Sequence, residues 1–314
     1  MRVRRHSLGA ANTRRIPQEL VTRLEKQFGL ASRGIFEAFG QERVTSFRVN
    51  TLKTTDQDVM AMCREEGVIF ERVKEIPHAF IVKNRDEQGM LASALCRKGF
   101  VYLQGLSSLV PPLVLSPTAG ASVLDLCAAP GSKTSQMAAQ MEDHGRLVAL
   151  EKDAVRAAKL RKTLSLQGVT CAEVFEGDAA LLCRAWPEEF DFVLADVPCS
   201  AEGRIRSAEP RSFSFWSQKN IVAHAKVQRR LLRAGVSCLK PGGRLVYSTC
   251  TLAPEENEMM AAWLLEEFPR LRAVPIRIPG LPFLPTKPAG AVLLPTQRQE
   301  GFFVACFEKM RADN

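Results

Sequence analysis

The feature of this 314-residue sequence that most limits its fold is the alternation of apolar runs with helical patterns after Pro111-Pro112. Runs dense in leucine or β-branched residues predict strands at residues 122–127, 146–151, 172–176, 191–195 and 244–248. The clearest helical pattern runs from Trp216 to about Leu239, and Pro241-Gly242-Gly243 is predicted to turn the chain into the last of these strands. Apolar strands that alternate with helices are typical of a doubly wound parallel sheet.

A shorter, mixed pattern precedes this region. The sequence predicts an extended segment at 47–50, a helix at 56–66, and β-structure near Ile69 and at 80–82 and 100–102. We interpret residues 46–110 as a small α+β module and residues 111–314 as a larger α/β domain. Residues 1–45 are interpreted as a basic arm followed by helices.

Composition indicates a globular chain with a basic surface. Hydrophobic residues make up 46% of the sequence, and the net charge is +9, which favours a polyanionic partner. No apolar run approaches the roughly 20 residues that span a bilayer, and no secretory pattern follows the N-terminal arginines. We therefore expect a cytoplasmic protein without a membrane partner. The arginines between Arg2 and Arg15 leave a phosphate-contacting arm, an organellar transit peptide and a plain terminus open.

The cysteines indicate a reducing compartment. There are nine of them, an odd number without a C-x-x-C pair, so neither a zinc site nor a disulfide framework is expected. Most of them are interpreted as buried packing residues. This group comprises Cys63, Cys96, Cys171, Cys183, Cys238 and Cys306.

Polar residues follow three of the predicted strands at the edge where a doubly wound sheet binds ligands. The first group is the small-residue loop 127–134, the second is Glu151, about 20 residues after Gly131, and the third is Asp178. A loop and two acids without a pyrophosphate cradle favour S-adenosylmethionine over a dinucleotide. The alternative is that Glu151 and Asp178 only cap the helices that follow them.

Two thiols follow the last two strands, in Asp196-Val197-Pro198-Cys199-Ser200 and in Thr249-Cys250. Carbon 5 of cytosine is a poor nucleophile, and addition of a thiolate to carbon 6 makes it reactive enough to attack a sulfonium methyl group. An acid beside N3 assists that addition, and a base must later remove the proton from carbon 5. A cysteine pair with an aspartate supplies such groups.

These strings, together with Phe47-Arg48-Val49-Asn50-Thr51-Leu52-Lys53, Gln104, Ser107-Ser108 and residues 254–258 and 300–305, resemble the NOL1/NOP2/Sun family of RNA cytosine-5 methyltransferases. The resemblance covers nearly the whole chain after the first 45 residues. It implies a Rossmann-like class I methyltransferase domain with a mostly parallel sheet, behind a small RNA-recognition-like module. It also implies S-adenosylmethionine as cofactor and RNA as substrate, with ribosomal RNA before transfer RNA. We expect a monomer without a metal.

The resemblance also implies roles for individual residues. Cys250 would be the nucleophile, Cys199 would assist product release, and Asp196 would hold the reacting base, with Lys133 as a further catalytic candidate. Glu151 would bind the ribose. The remaining predicted cofactor contacts are Cys127, Ala128, Ala129, Pro130, Gly131, Ser132 and Lys133 at the methionine part, Asp178 at the adenine end, and Arg156 and Asp196.

Two departures and three alternatives accompany this interpretation. Relatives often have glycine where this chain has Ala201, and many carry a further RNA-binding domain that is not expected here. A DNA cytosine-5 methyltransferase would use the Pro-Cys cysteine as nucleophile and would lack Cys250. An amino-group methyltransferase would have an aromatic residue near Cys199. A catalytically silent RNA-binding or ribosome-assembly factor would keep the fold and the charge.

Overall fold

The computed structural model describes residues 16–311, and it begins with two short helices, α1 (Gln18–Phe28) and α2 (Ser32–Phe39). Leu20 and Leu24 of α1 and Phe39 of α2 are buried in the same apolar core as the strands of the large sheet. The predicted basic arm between Arg2 and Arg15 lies outside the described residues. Within 16–311, no helix combines the length and apolar character that a membrane span needs.

The small module is a four-stranded antiparallel sheet with helices packed on it. Its elements are β1 (Ser46–Val49), α3 (Asp56–Glu65), β2 (Phe70–Arg72), β3 (Ala79–Val82), α4 (Glu87–Leu91), α5 (Ala94–Arg97) and β4 (Val101–Leu103). The strands lie in the order β2-β3-β1-β4, and the rings of Phe47 and Phe80 stack in the core of the module with their centroids 5.3 Å apart.

The large domain is built on a nine-stranded sheet. Its elements are α6 (Val110–Leu115), β5 (Ser122–Asp125), α7 (Ser132–Gln140), β6 (Arg146–Glu151), α8 (Ala154–Gln167), β7 (Ala172–Glu176), α9 (Ala179–Leu182), β8 (Phe190–Asp196), α10 (Gln218–Cys238), β9 (Leu239–Thr249), α11 (Glu258–Glu267), β10 (Leu271–Val274), β11 (Phe283–Pro285), β12 (Ala291–Leu293) and β13 (Phe302–Lys309). The strands lie in the order β11-β12-β13-β9-β8-β5-β6-β7, and β10 pairs with β13. The five strands from β9 to β7 are parallel. This arrangement confirms the predicted fold class.

The order of the parallel strands places a crevice beside β5. The chain passes from β5 to β6 on one side, and β8 pairs with β5 on the other side. The loops that follow β5 and β8 therefore diverge to opposite faces of the sheet, which leaves room for a ligand above the strand ends.

The antiparallel strands β10 to β13 extend the predicted parallel core. The transition from α10 to β9 differs from the prediction that Pro241-Gly242-Gly243 turns the chain into the strand. The helix ends at Cys238, and Leu239 already pairs with Phe190, so Pro241-Gly242-Gly243 lies within the strand as an irregularity. Parallel pairing resumes at Arg244, opposite Phe192. Gly242 has a φ of +85°, a conformation that glycine adopts without steric cost and that lets the extra residues loop out of the ladder.

The small module packs directly on two helices of the large domain. Arg48 of β1 is buried and donates a hydrogen bond to Ser135 of α7 (3.0 Å), while Asn50 donates to the carbonyl of Gln167 at the end of α8 (2.8 Å). Because α7 follows the loop after β5, this contact fixes the module beside the crevice.

Candidate active site

A cavity of about 1000 Å³ opens at the carboxyl ends of the parallel strands. This volume lies at the upper end of the usual range for small-molecule sites, about 300–1,000 Å³. The predicted site residues that line it are Cys127, Ala128, Ala129, Pro130, Ser132, Lys133, Glu151, Arg156, Asp178, Asp196, Cys199 and Cys250. The structure thus brings nearly all of them to one place.

Gly131 is the predicted residue that does not line the cavity. Its φ is +104°, and a Cβ atom there would lie 3.0 Å from Thr163 and 3.1 Å from Leu160 of α8. Gly131 therefore allows the turn from the loop into α7 and the close packing of this turn on α8.

Asp125, at the end of β5, was not among the predicted site residues, yet it lines the cavity. Its carboxyl group is 1% exposed and accepts a hydrogen bond from Thr134 Oγ1 (2.8 Å). Burial raises its pKa to about 7. Desolvation also raises the pKa of the neighbouring, partly exposed Cys127 thiol well above the usual value, so that this thiol stays protonated.

Glu151 leaves the end of β6 with its side chain buried against the cavity. Its Oε1 accepts from the backbone N–H of Asp153 (3.0 Å), and its Oε2 lies 3.4 Å from Arg156 Nη1. Arg156 also donates to the carbonyl of Ala129 (2.9 Å). Arg156 therefore joins the loop after β5 to the acid after β6. The residue that caps α8 is Asp153.

Asp178 does cap a helix, as the alternative interpretation held. Its Oδ1 accepts from the backbone N–H of Ala180 (3.0 Å) at the start of α9, while its Oδ2 lies 2.9 Å from Arg230 of α10. Arg230, which the sequence did not single out, thus reaches the cavity from the opposite helix.

Asp196, the last residue of β8, is held by two side chains. Its Oδ2 lies 2.7 Å from Lys133 Nζ, and its Oδ1 accepts from Ser248 Oγ of β9 (2.7 Å). Lys133 also donates to Ser108 Oγ (2.9 Å). An ion pair with its carboxylate in the cavity can bind a polar base edge and can deliver a proton to it.

The two thiols lie side by side at this end of the sheet, with Cys199 Sγ 3.3 Å from Cys250 Sγ. The strand register explains the contact. Asp196 is paired with Ser248, and Cys199 and Cys250 follow these paired residues by three and two positions. Both cysteines are free, since a disulfide would place the sulfur atoms about 2.05 Å apart.

The two thiols differ in their surroundings. The hydrogen bond with Cys250 and burial together raise the pKa of the Cys199 thiol well above its usual value. Cys199 is therefore held as a protonated thiol that can donate to the sulfur of Cys250. A hydrogen bond from this thiol would stabilise negative charge on the Cys250 sulfur during the reaction.

The loop after Cys199 crosses closely over a second loop. Gly203 donates its N–H to the carbonyl of Cys250 (3.0 Å), and a Cβ atom on Gly203 would lie 2.0 Å from the carbonyl oxygen of Gly301. Ala201 has a φ of +58°. A non-glycine residue in this region costs roughly 1–2 kcal/mol, which explains why glycine suits the position in relatives.

Further cavity residues come from segments whose chemistry the sequence did not reveal. Glu300 lies 2.8 Å from Arg43 and 3.3 Å from Arg204, which places an arginine–carboxylate cluster at the cavity. Gln104, Ser108 and Phe302 complete this side. The sequence segments that resemble the family include Gln104, Ser108, Glu300 and Phe302, and this is how the sequence could have indicated them.

The donor set fits an adenosyl sulfonium ligand better than a metal ion. In residues 16–311, no group of three or more His, Cys, Asp or Glu side chains is placed to hold a metal. The carboxylates of Glu151 and Asp178 leave strand ends on one side of the cavity, and the small-residue loop after β5 allows close backbone approach. Carboxylates suit ribose hydroxyls and a positively charged sulfonium.

Comparison with known proteins adds to this geometry. Residues 112–308 match the family described as 16S rRNA methyltransferase RsmB/F, and residues 16–86 match the ferredoxin-like domain described for RsmF/B-like methyltransferases. The ribosomal RNA small subunit methyltransferase F of Pectobacterium atrosepticum is 37% identical over 228 residues, which cover 71% of this chain and 47% of that protein. The chain spans about half the length of the curated relatives it matches.

Two solved structures share the fold. A methyltransferase homolog protein from Pyrococcus horikoshii is 31% identical, with a TM-score of 0.82 over 94% of this chain and 95% of that one. NSun6 from Pyrococcus horikoshii, solved with SFG, has a TM-score of 0.82 over 94% of this chain and 98% of that one, at 22% identity, and shows the fold alone.

Proposed function

Since this chain belongs to the RsmB/F family of 16S rRNA methyltransferases, we propose that it methylates carbon 5 of a cytosine in RNA through a covalent cysteine–pyrimidine intermediate. Membership confirms the predicted family and S-adenosylmethionine as its cofactor. Ribosomal RNA is the first substrate of the proposal and transfer RNA the second. The division into a module at 46–110 and a catalytic domain at 111–314 is part of the same proposal.

One observation carries the proposal: the thiols of Cys199 and Cys250 lie 3.3 Å apart in the cavity that also holds Asp196 and Lys133. Methylation of a nitrogen or oxygen atom needs no thiol, because those atoms carry a lone pair. Methylation of carbon 5 requires a nucleophile that first adds to carbon 6. A thiol pair beside an acid and a lysine meets that requirement.

Several residues would hold the cofactor. Glu151 would accept hydrogen bonds from the ribose hydroxyls, Asp178 would lie at the adenine end, and the loop from Cys127 to Lys133 would hold the methionine part. Arg156 fixes the loop and Glu151 relative to each other. When bound, S-adenosylmethionine supplies an electrophilic methyl group on a positively charged sulfur.

Cys250 acts as the nucleophile in this proposal. Its thiolate forms a bond to carbon 6, and the displaced electron pair is stabilised when N3 takes a proton from the Lys133–Asp196 pair. Carbon 5 then carries the electron density that methyl transfer needs. Ser248 and Lys133 keep the Asp196 carboxylate fixed while the base binds.

Cys199 acts in product release. After methylation, a solvent water molecule takes the proton from carbon 5, and the electron pair of that C–H bond re-forms the double bond to carbon 6. The bond between carbon 6 and Cys250 then breaks, the sulfur leaves as a thiolate, and N3 returns its proton to the Lys133–Asp196 pair. Cys199 lies against the sulfur that leaves and can donate a hydrogen bond to it. Stabilisation of the departing thiolate makes release faster.

The experiment that tests the proposal is incubation of the protein with a tritiated methyl donor and total RNA, followed by fractionation and mapping of the labelled position. We expect label on carbon 5 of cytosine in small-subunit ribosomal RNA. Label in the transfer RNA fraction would change the substrate and keep the chemistry. No label in any fraction, with a folded protein that binds the cofactor, would favour the catalytically silent RNA-binding factor.

A further inference from the structure

Behind the two thiols lies a buried carboxylate that the reaction above does not use. Glu256 is 0% exposed and sits at the end of a short turn after β9. Its Oε2 accepts from the backbone N–H of Ser200 (3.1 Å) and from Gln228 Nε2 (2.7 Å), and its Oε1 accepts from Ser200 Oγ. Three donors converge on one side chain, which balances much of the cost of burying it.

The same contacts connect the loops that carry the two cysteines. Ser200 directly follows Cys199, and its hydroxyl lies 2.7 Å from Thr251 Oγ1, the residue that directly follows Cys250. Gln228, which holds Glu256, also donates to the carbonyl of Pro198 (2.9 Å). Glu256 is therefore bonded directly to Ser200 after Cys199, and it is linked through Gln228 to Pro198 before Cys199 and through Ser200 to Thr251 after Cys250.

Glu256 is itself fixed to the strand below. The hydroxyl group of Tyr247, a fully buried residue of β9, donates to the backbone carbonyl of Glu256 (2.5 Å) and lies 3.2 Å from Gln228 Oε1. A carboxylate that is anchored to the sheet, bonded to Ser200 and linked through Ser200 to Thr251 can set the separation of the two sulfur atoms.

We infer that Glu256 is a positioning residue for the thiol pair, which holds Cys199 against Cys250. This inference rests on the proposed function only for its catalytic consequence. The geometry stands without it, because the contacts involve neither RNA nor cofactor.

The electrostatics agree with the geometry. Burial raises the pKa of Glu256 to about 7, against the hydrogen bonds from Ser200 and Gln228, so that part of the population is ionised at neutral pH. Its charge then raises the pKa of Cys199, after the larger effects of the Cys250 hydrogen bond and burial. The titratable groups around this cluster are Cys250, Arg204, Tyr247, Asp196 and Glu202.

Replacement of Glu256 by its neutral isostere glutamine should change the pKa of Cys199 in a definite direction. In Glu256→Gln, the side chain keeps its volume but loses its charge, and one of its acceptor atoms becomes a donor that faces other donors. Removal of a nearby negative charge favours the thiolate of Cys199, so its pKa should fall. A residue that only fills space would leave that pKa unchanged in a folded protein.

The first measurement is the pH dependence of Cys199 alkylation by iodoacetamide, followed by peptide mass mapping, in Cys250→Ala with and without Glu256→Gln. We expect Glu256→Gln to lower the midpoint by about one pH unit. The matched control is Glu258→Gln, which removes a carboxylate two residues further along the chain, and it should leave the midpoint unchanged. An equal or higher midpoint in a folded Glu256→Gln protein would overturn the inference.

The second measurement is turnover with native cysteines. Glu256→Gln should lower kcat at least about tenfold with little change in KM for RNA, and Glu256→Asp, which keeps the charge, should restore part of kcat. If Glu256→Gln does not fold, the variant Ser200→Ala is used instead, because Ser200→Ala removes the link to Thr251 without a change of charge. Unchanged kcat in Ser200→Ala would then overturn the inference. Absence of methyl transfer by the unmodified protein would refute the proposed function, while the alkylation midpoint still tests Glu256.

Discussion

Two pairs of cysteines lie at opposite ends of the same two strands, and the pair Cys199 and Cys250 lines the large cavity. Cys199 and Cys250 follow the carboxyl ends of β8 and β9, whereas Cys183 and Cys238 precede the amino ends of these strands. The side-chain hydrogen bond with Cys238 and, after it, burial raise the pKa of Cys183, as the hydrogen bond with Cys250 and burial do for Cys199. Contact between two thiols is thus common to both pairs, and it cannot by itself define a site.

The surroundings distinguish the two pairs. Cys199 and Cys250 share their cavity with the Asp196–Lys133 ion pair and with the loop that follows β5. Cys183 and Cys238 are 1% and 0% exposed, within the core between the sheet and α10. A thiol becomes useful where a substrate can reach it and where charged groups can move protons.

The largest expected effect concerns the nucleophile. Cys250→Ala should lower methyl transfer by at least about a thousandfold, because it removes the thiolate that adds to carbon 6 in the proposed mechanism. Cofactor affinity should stay within about twofold, since in the proposal Cys250 contacts the reacting base and not the cofactor. Labelled methyl transfer and a cofactor titration measure the two quantities, and Cys238→Ala is the control from the other pair. Turnover of Cys250→Ala close to that of the control would exclude the proposed mechanism.

The next effect separates the two members of the cavity pair. Cys199→Ala should still attack and methylate the base, but release should be impaired, so protein joined to RNA should accumulate as a band that survives denaturing electrophoresis. The same band should be absent from Cys250→Ala. A band that required Cys199 and appeared in Cys250→Ala would reverse the two roles and favour the DNA-type mechanism.

The meeting of site residues at the carboxyl ends of the strands was predictable from the sequence. Parallel strands that alternate with helices bring the residues after each strand to one edge of the sheet. Glu151, Asp196 and Cys250 could therefore be placed in one site before any coordinates. Arg230 could not, since the face of α10 that meets Asp178 depends on how the helix packs. Glu256 lies in a string of acids that resembles a solvated turn, and only the fold buries it.

A third prediction tests whether the part of the cavity beside Glu151 binds the cofactor in the absence of RNA. S-adenosylmethionine at 100 times its Kd should stabilise the fold by about 2.7 kcal/mol in the absence of RNA. Glu151→Ala should weaken binding roughly 10–100-fold, the loss of charge-assisted hydrogen bonds worth about 1.5–3 kcal/mol. Glu176→Ala is the matched control, because this exposed acid is the register partner of Glu151 on β7. Thermal melting against cofactor concentration is the measurement, and equal affinities in the two variants would remove Glu151 from the site.

The smallest expected effect is that of a substitution in the buried pair, Cys183 and Cys238. It tests whether this pair contributes to stability and not to turnover. Cys238 Sγ donates to the backbone carbonyl of Cys183 (3.2 Å), so Cys238→Ala removes a donor and leaves a small void in the core. We expect a loss of about 1–2 kcal/mol in the free energy of unfolding, measured by denaturant titration. Methyl transfer per folded molecule should be unchanged, because neither thiol reaches the cavity. A double-mutant cycle with Cys183→Ala then measures how much of the loss comes from the contact between them. Lost turnover at unchanged stability would show that the buried pair takes part in function after all, and the distinction between the two ends of the strands would fail.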